Sequence, residues 1–414
     1  MFRFNRLQLE NFRCFQQLDL TIEPDLTVLF AENGGGKSAI LAALAMGIAV
    51  FQPQSPKSLR FDAMRDVRQI PVGMGSQREP AGPCSMTWTA MVDPGRQVQW
   101  ELARNPASSR MTDLTGEIFD AIEAIRVPGA RWPLFAWYGT DRLRSPRRPA
   151  RSALDIRDRR AGYASSLDPT VNETLLLDTL LAWGIRGFSI RPKTPKRDSP
   201  FSDGVCAAMA RAAPGVTKIR PGYPGMGGPV VWFENGQVTP WAELSDGYHV
   251  FLALIGDIAR RAVLLNETDG REAPERIEGV VLIDEIDLHL HPRWQRVVID
   301  GLRNAFPRLQ FVVTTHSPQV LSSVENRQVR RLTGWGLAEQ GVLVEGRDTN
   351  AILRELMNTD DRDDAGVAAL RKLYNAIDSG RRDDAARLYS ELAGRWGELD
   401  PELIRAQGLM EGDD

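Results

Sequence analysis

The chain has 414 residues, of which 43% are hydrophobic and 25% are charged, as in globular proteins with a substantial core. A formal net charge of -3 excludes a uniformly basic protein that binds nucleic acid through its overall charge. Three cysteines are too few for a disulfide framework, and the apolar runs are too short for a signal peptide or a membrane span. The composition therefore predicts a cytoplasmic protein without membrane contact.

The N-terminal pattern predicts three strands, a glycine-rich turn and an apolar helix. The third strand is a continuous apolar run, which is typical of strands buried on both faces. A segment rich in Pro, Gly, Ser and Met follows and predicts a loop, and then a hairpin with a Pro-Gly turn. The expected ranges are 2–9, 14–20 and 26–30 for the strands, 38–50 for the helix, 52–83 for the loop, and 86–92 with 97–103 for the hairpin.

The middle of the chain is basic and irregular. Eight of the twenty residues at 141–160 are arginine, and a helix expected at 172–183 separates them from a second basic loop at 186–200. We expect this region to form a lid inserted into an α/β domain. Contact of its arginines with nucleic acid and their pairing with acidic residues of the chain are equally compatible with the pattern.

An α/β pattern resumes near residue 216 and continues to about 344. Short amphipathic helices follow in a locally acidic region, and their expected ranges are 351–357, 365–377, 384–396 and 401–410. The whole pattern predicts four regions. They are 1–140 and 216–345 as the two parts of one α/β domain, 141–215 as the inserted lid, and 346–414 as a C-terminal helical region.

The glycine-rich turn at 31–38, with the sequence AENGGGKS, predicts a phosphate-binding loop. Its glycines allow backbone N–H groups to point at a phosphate, and the helix that follows adds its positive end. We expect Lys37 to reach the β- and γ-phosphates of ATP and Ser38 to give a hydroxyl to Mg²⁺. Ala31 stands where the usual pattern has glycine. The candidate nucleotide-binding residues here are Asn33, Gly34, Gly35, Gly36, Lys37 and Ser38.

Two later apolar strands end in polar residues. The first, GVVLI, leads into Asp284 and Glu285, where Asp284 is placed to hold Mg²⁺ through water and Glu285 to activate the attacking water as general base. The second leads into His316, a candidate to reach the γ-phosphate, although a histidine after a strand more often caps or hydrogen-bonds. For His289 and His291, a structural or dimer-contact role is favoured over metal binding.

These motifs resemble the head domain of ABC-type ATPases, which are α/β P-loop NTPases. Residues 244–248, LSDGY, are similar to the signature sequence LSGGQ of that family, and a Ser hydroxyl at a helix N-terminus makes an anion site. In the family the signature closes on nucleotide bound by the opposite subunit. The resemblance therefore implies a homodimer, in which Ser245 and Gly247 contact ATP held by the other copy and Asp287 lies in the D-loop at the same interface.

Residues 9–15, LENFRCF, resemble the opening motif of the SMC, RecF and OLD ATPases, which implies that Arg13 lies beneath the nucleotide. A RecF- or SMC-like DNA repair ATPase is therefore an alternative, with the arginine-rich segment as its DNA face. A transporter subunit gains no support. An OLD-type nuclease is disfavoured because only 68 residues follow Gly346. The strand-like segment at 134–139 lacks the glutamine that would mark a Q-loop, which stays unassigned.

Residues 136–142, AWYGTDR, and 346–353, GRDTNAIL, resemble the PtuA-type ATPases of Septu and related retron anti-phage systems. The resemblance implies an ATPase dependent on ATP and Mg²⁺ that forms a homodimer or larger assembly and regulates a separate HNH endonuclease. DNA or RNA is a further candidate partner, and no nuclease activity of the chain itself is expected. The acidic C-terminal helices are a candidate docking surface, and a solvated helical cap is equally compatible.

Overall fold

The computed structural model describes residues 2–52, 59–72, 78–93, 95–104, 117–119, 122–123, 129–140, 158–171, 173–189, 200–222, 228–338, 341–357 and 362–411. The chain divides into two units, Met1–Arg347 and Asp348–Asp414. Within the described ranges, no helix has both the length and the apolar character needed to cross a bilayer.

Fifteen strands are found in the described residues, and all of them belong to the first unit. They are β1 (Arg3–Phe12), β2 (Phe15–Thr21), β3 (Leu26–Phe30), β4 (Gln69–Pro71), β5 (Arg78–Pro80), β6 (Cys84–Asp93), β7 (Arg96–Arg104), β8 (Leu134–Tyr138), β9 (Val216–Arg220), β10 (Val230–Phe233), β11 (Val238–Pro240), β12 (Gly279–Ile283), β13 (Leu309–Thr315), β14 (Val329–Thr333) and β15 (Gly336–Leu337).

The α-helices of the first unit are α1 (Lys37–Ala49), α2 (Ala63–Asp66), α3 (Glu173–Ser189), α4 (Pro200–Ala212), α5 (Asp246–Leu265), α6 (Ala273–Arg276), α7 (Pro292–Gln295), α8 (Val298–Ala305) and α9 (Pro318–Ser322). Those of the second unit are α10 (Thr349–Leu356), α11 (Asp364–Asp378), α12 (Arg382–Trp396) and α13 (Pro401–Glu411). The predicted α/β class with a C-terminal helical region is confirmed.

A six-stranded sheet with the order β15-β14-β3-β13-β12-β8 forms the centre of the first unit. Its strands are parallel except β15, which is antiparallel to β14. Every residue of β3, β12 and β13 is buried, as expected for parallel strands covered on both faces. Phe30 pairs with Thr315, and Ile283 with both Val313 and Tyr138. The carboxyl ends of four strands therefore lie at one edge, where parallel sheets bind ligands.

Helix α1 connects this sheet to an antiparallel sheet with the order β2-β1-β6-β7. The helix is buried at every position except Ser38. On the antiparallel sheet, the stacked rings of Trp88 and Trp100 lie 5.9 Å apart, and Trp88 Nε1 donates to the carbonyl of Ala43 at 3.0 Å. A Cβ at Gly47 would lie only 2.6 Å from the same indole nitrogen. Glycine at 47 therefore lets the C-terminal half of α1 approach the tryptophan closely.

Some elements differ from the predicted pattern. Helix α4 was not expected, and within the predicted loop at 52–83 the described residues form α2 and the β4–β5 pair. Helix α3 extends to Ser189, beyond the expected end at 183. Residues 141–157, which hold most of the arginine-rich segment, lie outside the described residues. At the described end of this arginine-rich segment, Arg159 donates to the carbonyl of Leu265 at 2.6 Å, and its guanidinium lies 4.5 Å from the centre of the Trp132 ring.

The second unit has a small core of its own. Its fully buried residues are Leu373, Ala376, Ala385, Leu392, Leu403 and Ala406. The loop before α11 is joined to the start of α13 by Arg362, whose guanidinium contacts the Asp400 carboxylate at 2.7 Å and lies 4.3 Å from the Trp396 ring. The last three of the four expected amphipathic helices are therefore packed against one another.

Candidate functional site

The glycine-rich turn between β3 and α1 needs glycine for steric reasons. Gly34 and Gly36 have φ angles of 77° and 93°, which residues other than glycine rarely adopt. A Cβ at Gly36 would collide with the Phe15 ring and lie 2.8 Å from Cys14 Sγ. The β1–β2 turn therefore lies directly against the loop, in agreement with the position expected of segment 9–15.

Arg13, at this turn, is paired within the chain. Its φ is 50°, and its guanidinium contacts Asp66 Oδ1 at 3.0 Å. The side chain of Asp66 is fully buried and also binds Arg65 at 2.7 Å. Burial alone would raise the pKa of Asp66, but hydrogen bonds and the two guanidinium charges lower it. Arg13 is thus held by Asp66 next to Cys14, which lies against the loop, while its contact with a nucleotide stays a prediction.

Lys37 lies at the mouth of the loop. Its Nζ donates to the carbonyl oxygens of Ala31 at 2.8 Å and Glu32 at 3.2 Å, and the residue is 7% exposed. Burial lowers the pKa of Lys37, and the nearby carboxylates of Asp284 and Glu285 oppose that shift. The ammonium group is thus held between loop carbonyls and an acidic edge of the sheet, where a phosphate would add compensating charge.

A chain of short hydrogen bonds links the loop to two strands. Ser38 Oγ donates to Asp284 Oδ2 at 2.7 Å, and Thr314 Oγ1 donates to Asp284 Oδ1 at 2.6 Å. Asp284 is 6% exposed, so its carboxylate is held by partners from α1 on one side and β13 on the other. Three segments distant in sequence therefore converge on one carboxylate.

Glu285 is held in an unusual backbone conformation. Its φ is 47°, which is rare for a residue with a side chain. Its N–H donates to Thr314 Oγ1 at 2.7 Å, and the N–H of Ile286 donates to the carbonyl of Thr314 at 2.9 Å. Thr314 therefore binds the Asp284 carboxylate and holds the backbone of Glu285 at the same time.

Asp287 and His316 lie on the same edge. Thr315 Oγ1 donates to Asp287 Oδ1 at 2.6 Å, and the His316 N–H approaches the same oxygen at 3.4 Å. Burial lowers the pKa of His316, and the Lys37 charge lowers it further. The ring of His316 is therefore neutral at pH 7, able to donate through one nitrogen and accept through the other.

The donor set fits a magnesium ion. Mg²⁺ prefers oxygen ligands, keeps several waters, and is usually held by one or two protein groups together with substrate phosphates. The Ser38 hydroxyl and the Asp284 carboxylate are 2.7 Å apart at the end of the phosphate loop. Among the described residues no group of three or more His, Cys, Asp or Glu forms an all-protein metal cage.

His289 and His291 do not form a metal site with other described residues. Both are exposed. His291 Nδ1 accepts from the Arg293 N–H at 3.2 Å and so caps the start of α7, while His289 occupies a left-handed conformation with φ of 64°. A structural or dimer-contact role was favoured for the pair; the cap made by His291 is structural, and a contact with a second copy stays a prediction.

The signature segment begins helix α5. Ser245 is the N-terminal cap residue, but its side chain is exposed and makes no capping hydrogen bond. A Cβ at Gly247 would approach the carbonyl of His289 at 3.9 Å, so this segment lies beside the loop that follows Glu285. Tyr248 departs from the usual glutamine and packs edge-on against Trp294, with ring centroids 4.3 Å apart. Ser245 is thus exposed and Gly247 partly exposed, so both can be reached by a ligand.

Comparison with protein families gives two matches. Residues 139–322 match the model described as "AAA domain, putative AbiEii toxin, Type IV TA system", and residues 6–71 match a second model described as "AAA domain". The first match spans the signature segment, the two carboxylates and His316, and the second spans the phosphate loop. These two segments of the chain are therefore similar to AAA domains.

Relatives of this ATPase domain come from retron and Septu systems. The chain is 36% identical to "Retron Ec83 probable ATPase" of Escherichia coli over 173 residues, which are 41% of the chain and 32% of that protein. It is 46% identical to "Septu protein PtuA" of Bacillus mycoides over 87 residues, which are 21% of the chain and 11% of that protein. The matched segments thus span a third or less of either relative.

Solved structures include a similar fold in an SMC protein. The crystal structure of an SmcHead bound to the C-winged helix domain of ScpA matches with a TM-score of 0.49 and 15% identity. The match covers 82% of the chain and 98% of the SMC head.

Two groups of residues in the ATPase domain were not predicted. Thr314 and Thr315 bind the acidic side chains, and the signal for them was a pair of hydroxyl residues at the end of an otherwise apolar strand. The second group is a buried network, in which Tyr138 Oη donates to Asp257 Oδ2 at 2.9 Å and Arg261 Nε donates to the same oxygen at 2.7 Å. Since the Asp284 N–H donates to the Tyr138 carbonyl at 2.7 Å, this network joins helix α5 to the site.

Proposed function

We propose that the chain binds ATP with Mg²⁺ at the loop 31–38 and hydrolyses it. The observation that carries the proposal is the 2.7 Å contact between Ser38 and Asp284. In P-loop ATPases, Mg²⁺ is held by a hydroxyl that follows the phosphate-loop lysine and by a carboxylate at the end of another strand of the same sheet. When bound there, Mg²⁺ neutralises charge on the β- and γ-phosphates.

Each residue of the site has a role in this reaction. The loop N–H groups and Lys37 bind the phosphates, and the pKa of Lys37 recovers when phosphate charge replaces water around it. Glu285 accepts a proton from the attacking water, because its carboxylate follows Asp284 at the open edge of the sheet. Neutral His316 orients the γ-phosphate by hydrogen bonding, and Asp287 holds the backbone N–H of that histidine.

We further propose that the site is completed by a second copy of the chain. The Ser245 hydroxyl and the N–H groups at the start of the 20-residue helix α5 form an anion site, and they are exposed and unused as a helix cap. Two copies that face each other would place Ser245 and Gly247 of each against the γ-phosphate bound by the other. ATP binding would then drive association, and hydrolysis would release it.

The relatives favour a role for this ATPase in anti-phage defence. Proteins named as a retron ATPase and as Septu PtuA match in sequence, and we propose that the chain acts in a system of this kind by regulating a separate HNH endonuclease. The test uses cells that carry the gene of this chain together with its neighbouring genes. Phage plaque counts are compared between the wild-type chain and the Glu285→Gln variant. Equal protection by both versions would contradict a role for hydrolysis in defence.

ATP binding and hydrolysis are tested by two substitutions. Lys37→Ala removes the loop ammonium, so we expect ATP affinity to fall below detection in calorimetry. Glu285→Gln keeps the binding groups and removes the base, so we expect turnover to be lost while an ATP-bound dimer accumulates in size-exclusion chromatography. Glu267→Gln, at an exposed position, is the matched control. Normal turnover by Glu285→Gln would refute the assignment of the base.

A further inference from the structure

The β14–β15 hairpin has an unusual residue at its turn. Thr333 pairs with Gly336 and Leu332 with Leu337, which leaves Gly334 and Trp335 as a two-residue loop. Their φ angles are 55° and 59°, so both central residues are left-handed, as in a type I′ turn. Such turns are normally built from Asn, Asp or Gly, and a bulky side chain at positive φ is an outlier. Turn chemistry therefore does not account for tryptophan at 335.

Packing does not account for it either. Trp335 is 54% exposed, so more than half of the largest side chain is in contact with solvent. A residue that is unfavourable in its backbone conformation and adds little to the core points to a function, since strained conformations cluster where ligands bind.

The sheet places this turn beside the phosphate loop. Strand β14 is the parallel neighbour of β3, and Arg331 pairs with Phe30, the last residue of β3. The chain continues for two more residues of β14 before the turn, while the loop 31–38 leaves β3 at the same edge. With neighbouring strands about 4.8 Å apart and a rise of about 3.3 Å per residue, the turn stands about 7 Å above the start of the loop and one strand to its side.

The other neighbour of the hairpin is the antiparallel sheet. Strand β15 lies against β2, and β2 begins at Phe15, which touches Gly36 of the loop. The turn at 334–335 therefore belongs to a hairpin that packs on the same strand whose first residue contacts the phosphate loop. A nucleotide with its phosphates in the loop must extend its base outward, and an exposed indole beside the loop offers a flat apolar surface for it.

We propose that Trp335 is the stacking platform for the purine base of the nucleotide. This inference rests on the proposed ATP site and adds the residue that binds its base. Aromatic side chains stack on bases without hydrogen-bond readout, so the contact would accept adenine and guanine alike. The two-residue turn holds the exposed indole at the tip of the hairpin.

The test compares ATP with a ligand that has no base. We expect Trp335→Ala to weaken ATP binding about tenfold, from the usual effect of removing one stacking partner, and to leave the affinity for inorganic tripolyphosphate unchanged. Trp335→Phe keeps an aromatic face and should retain most of the ATP affinity. Leu343→Ala, a change at another exposed apolar residue, 65% exposed, is the matched control and should alter neither ligand.

The possible results separate this inference from the proposed function. If Lys37→Ala abolishes ATP binding while Trp335→Ala leaves it unchanged, the ATP site stands and the stacking role is refuted. Equal weakening of ATP and tripolyphosphate by Trp335→Ala would also refute it, because the change would then act on the loop. Loss of self-association by Trp335→Ala, with ATP affinity intact, would assign the indole to a contact between copies instead. If wild-type protein binds no ATP, both proposals fail.

Discussion

Replacing Thr314 with valine tests how the two carboxylates of the site are positioned. Valine has nearly the same shape as threonine but lacks the hydroxyl, and Thr314 is fully buried, so the change removes hydrogen bonds and leaves the packing. Two bonds are lost: the one to Asp284 at 2.6 Å and the one from the Glu285 N–H at 2.7 Å. Bonds to charged groups contribute about 1.5–3 kcal/mol and neutral ones about 0.5–1.5 kcal/mol.

We therefore expect Thr314→Val to lower the free energy of unfolding by roughly 2–4 kcal/mol. For a unit of this size, that is a fall in Tm of about 3–6 °C. Steady-state ATP turnover should fall about tenfold to a hundredfold, because a displacement of a reacting group by about 1 Å has an effect of that size. ATP affinity should change little, since Lys37 and the loop glycines are untouched.

Thr27→Val is the matched control. Thr27 is also fully buried, on the neighbouring strand β3, and its hydroxyl accepts the Glu23 N–H at 2.9 Å, away from both carboxylates of the site. This control should lower stability by about 1 kcal/mol and leave turnover unchanged. Normal turnover in Thr314→Val, or an equal loss of turnover in Thr27→Val, would refute the positioning of Glu285 by Thr314.

Two further predictions concern other groups of the domain. Asp257→Asn removes the charge that compensates the buried guanidinium groups of Arg260 and Arg261, at 2.8 and 2.7 Å. It should lower stability by about 3–5 kcal/mol in denaturant titration, whereas exposed Asp300→Asn should change it by less than about 0.5 kcal/mol. For His316, burial and Lys37 lower the pKa, so the neutral ring persists below pH 6.5. The midpoint of any loss of turnover through protonation of His316 should therefore lie below pH 6.5, and a midpoint above pH 7 that disappears in His316→Gln would contradict this.

The sequence alone predicted those parts of the fold and of the candidate site that a single short segment determines. The apolar run at 26–30 and the Gly-Gly-Gly-Lys-Ser turn predicted β3, the loop and the start of α1, because chain direction and glycine content specify such a turn. Asp284 and Glu285 were located for a similar reason, as the first charges after a buried strand. For these residues, function and fold follow from the same short segment.

The missed features depend on contacts between distant segments. Helix α4 contains Gly204 and Ser202, which are weak helix formers, and a Cβ at Gly204 would lie 2.9 Å from the carbonyl of Arg271. This helix is therefore stabilised by close tertiary packing. Likewise, the spacing of Asp257 with Arg260 and Arg261 on one helix was visible, but its third partner, Tyr138, is 119 residues away in sequence.

The geometry of Glu285 is determined mainly by a neighbouring strand. A left-handed φ persists at a side chain only when the surroundings over-determine it, and here the carbonyl and hydroxyl of Thr314 bind the N–H groups of Ile286 and Glu285. The carbonyl of Glu285 also accepts from the Leu288 N–H at 2.9 Å. Because the same threonine binds Asp284, any shift of β13 relative to β12 would displace both carboxylates together. Strand β13 therefore positions both carboxylates through Thr314, although the sequence had singled out only His316, which follows the strand, and substitutions in β13 should be judged as changes to the site.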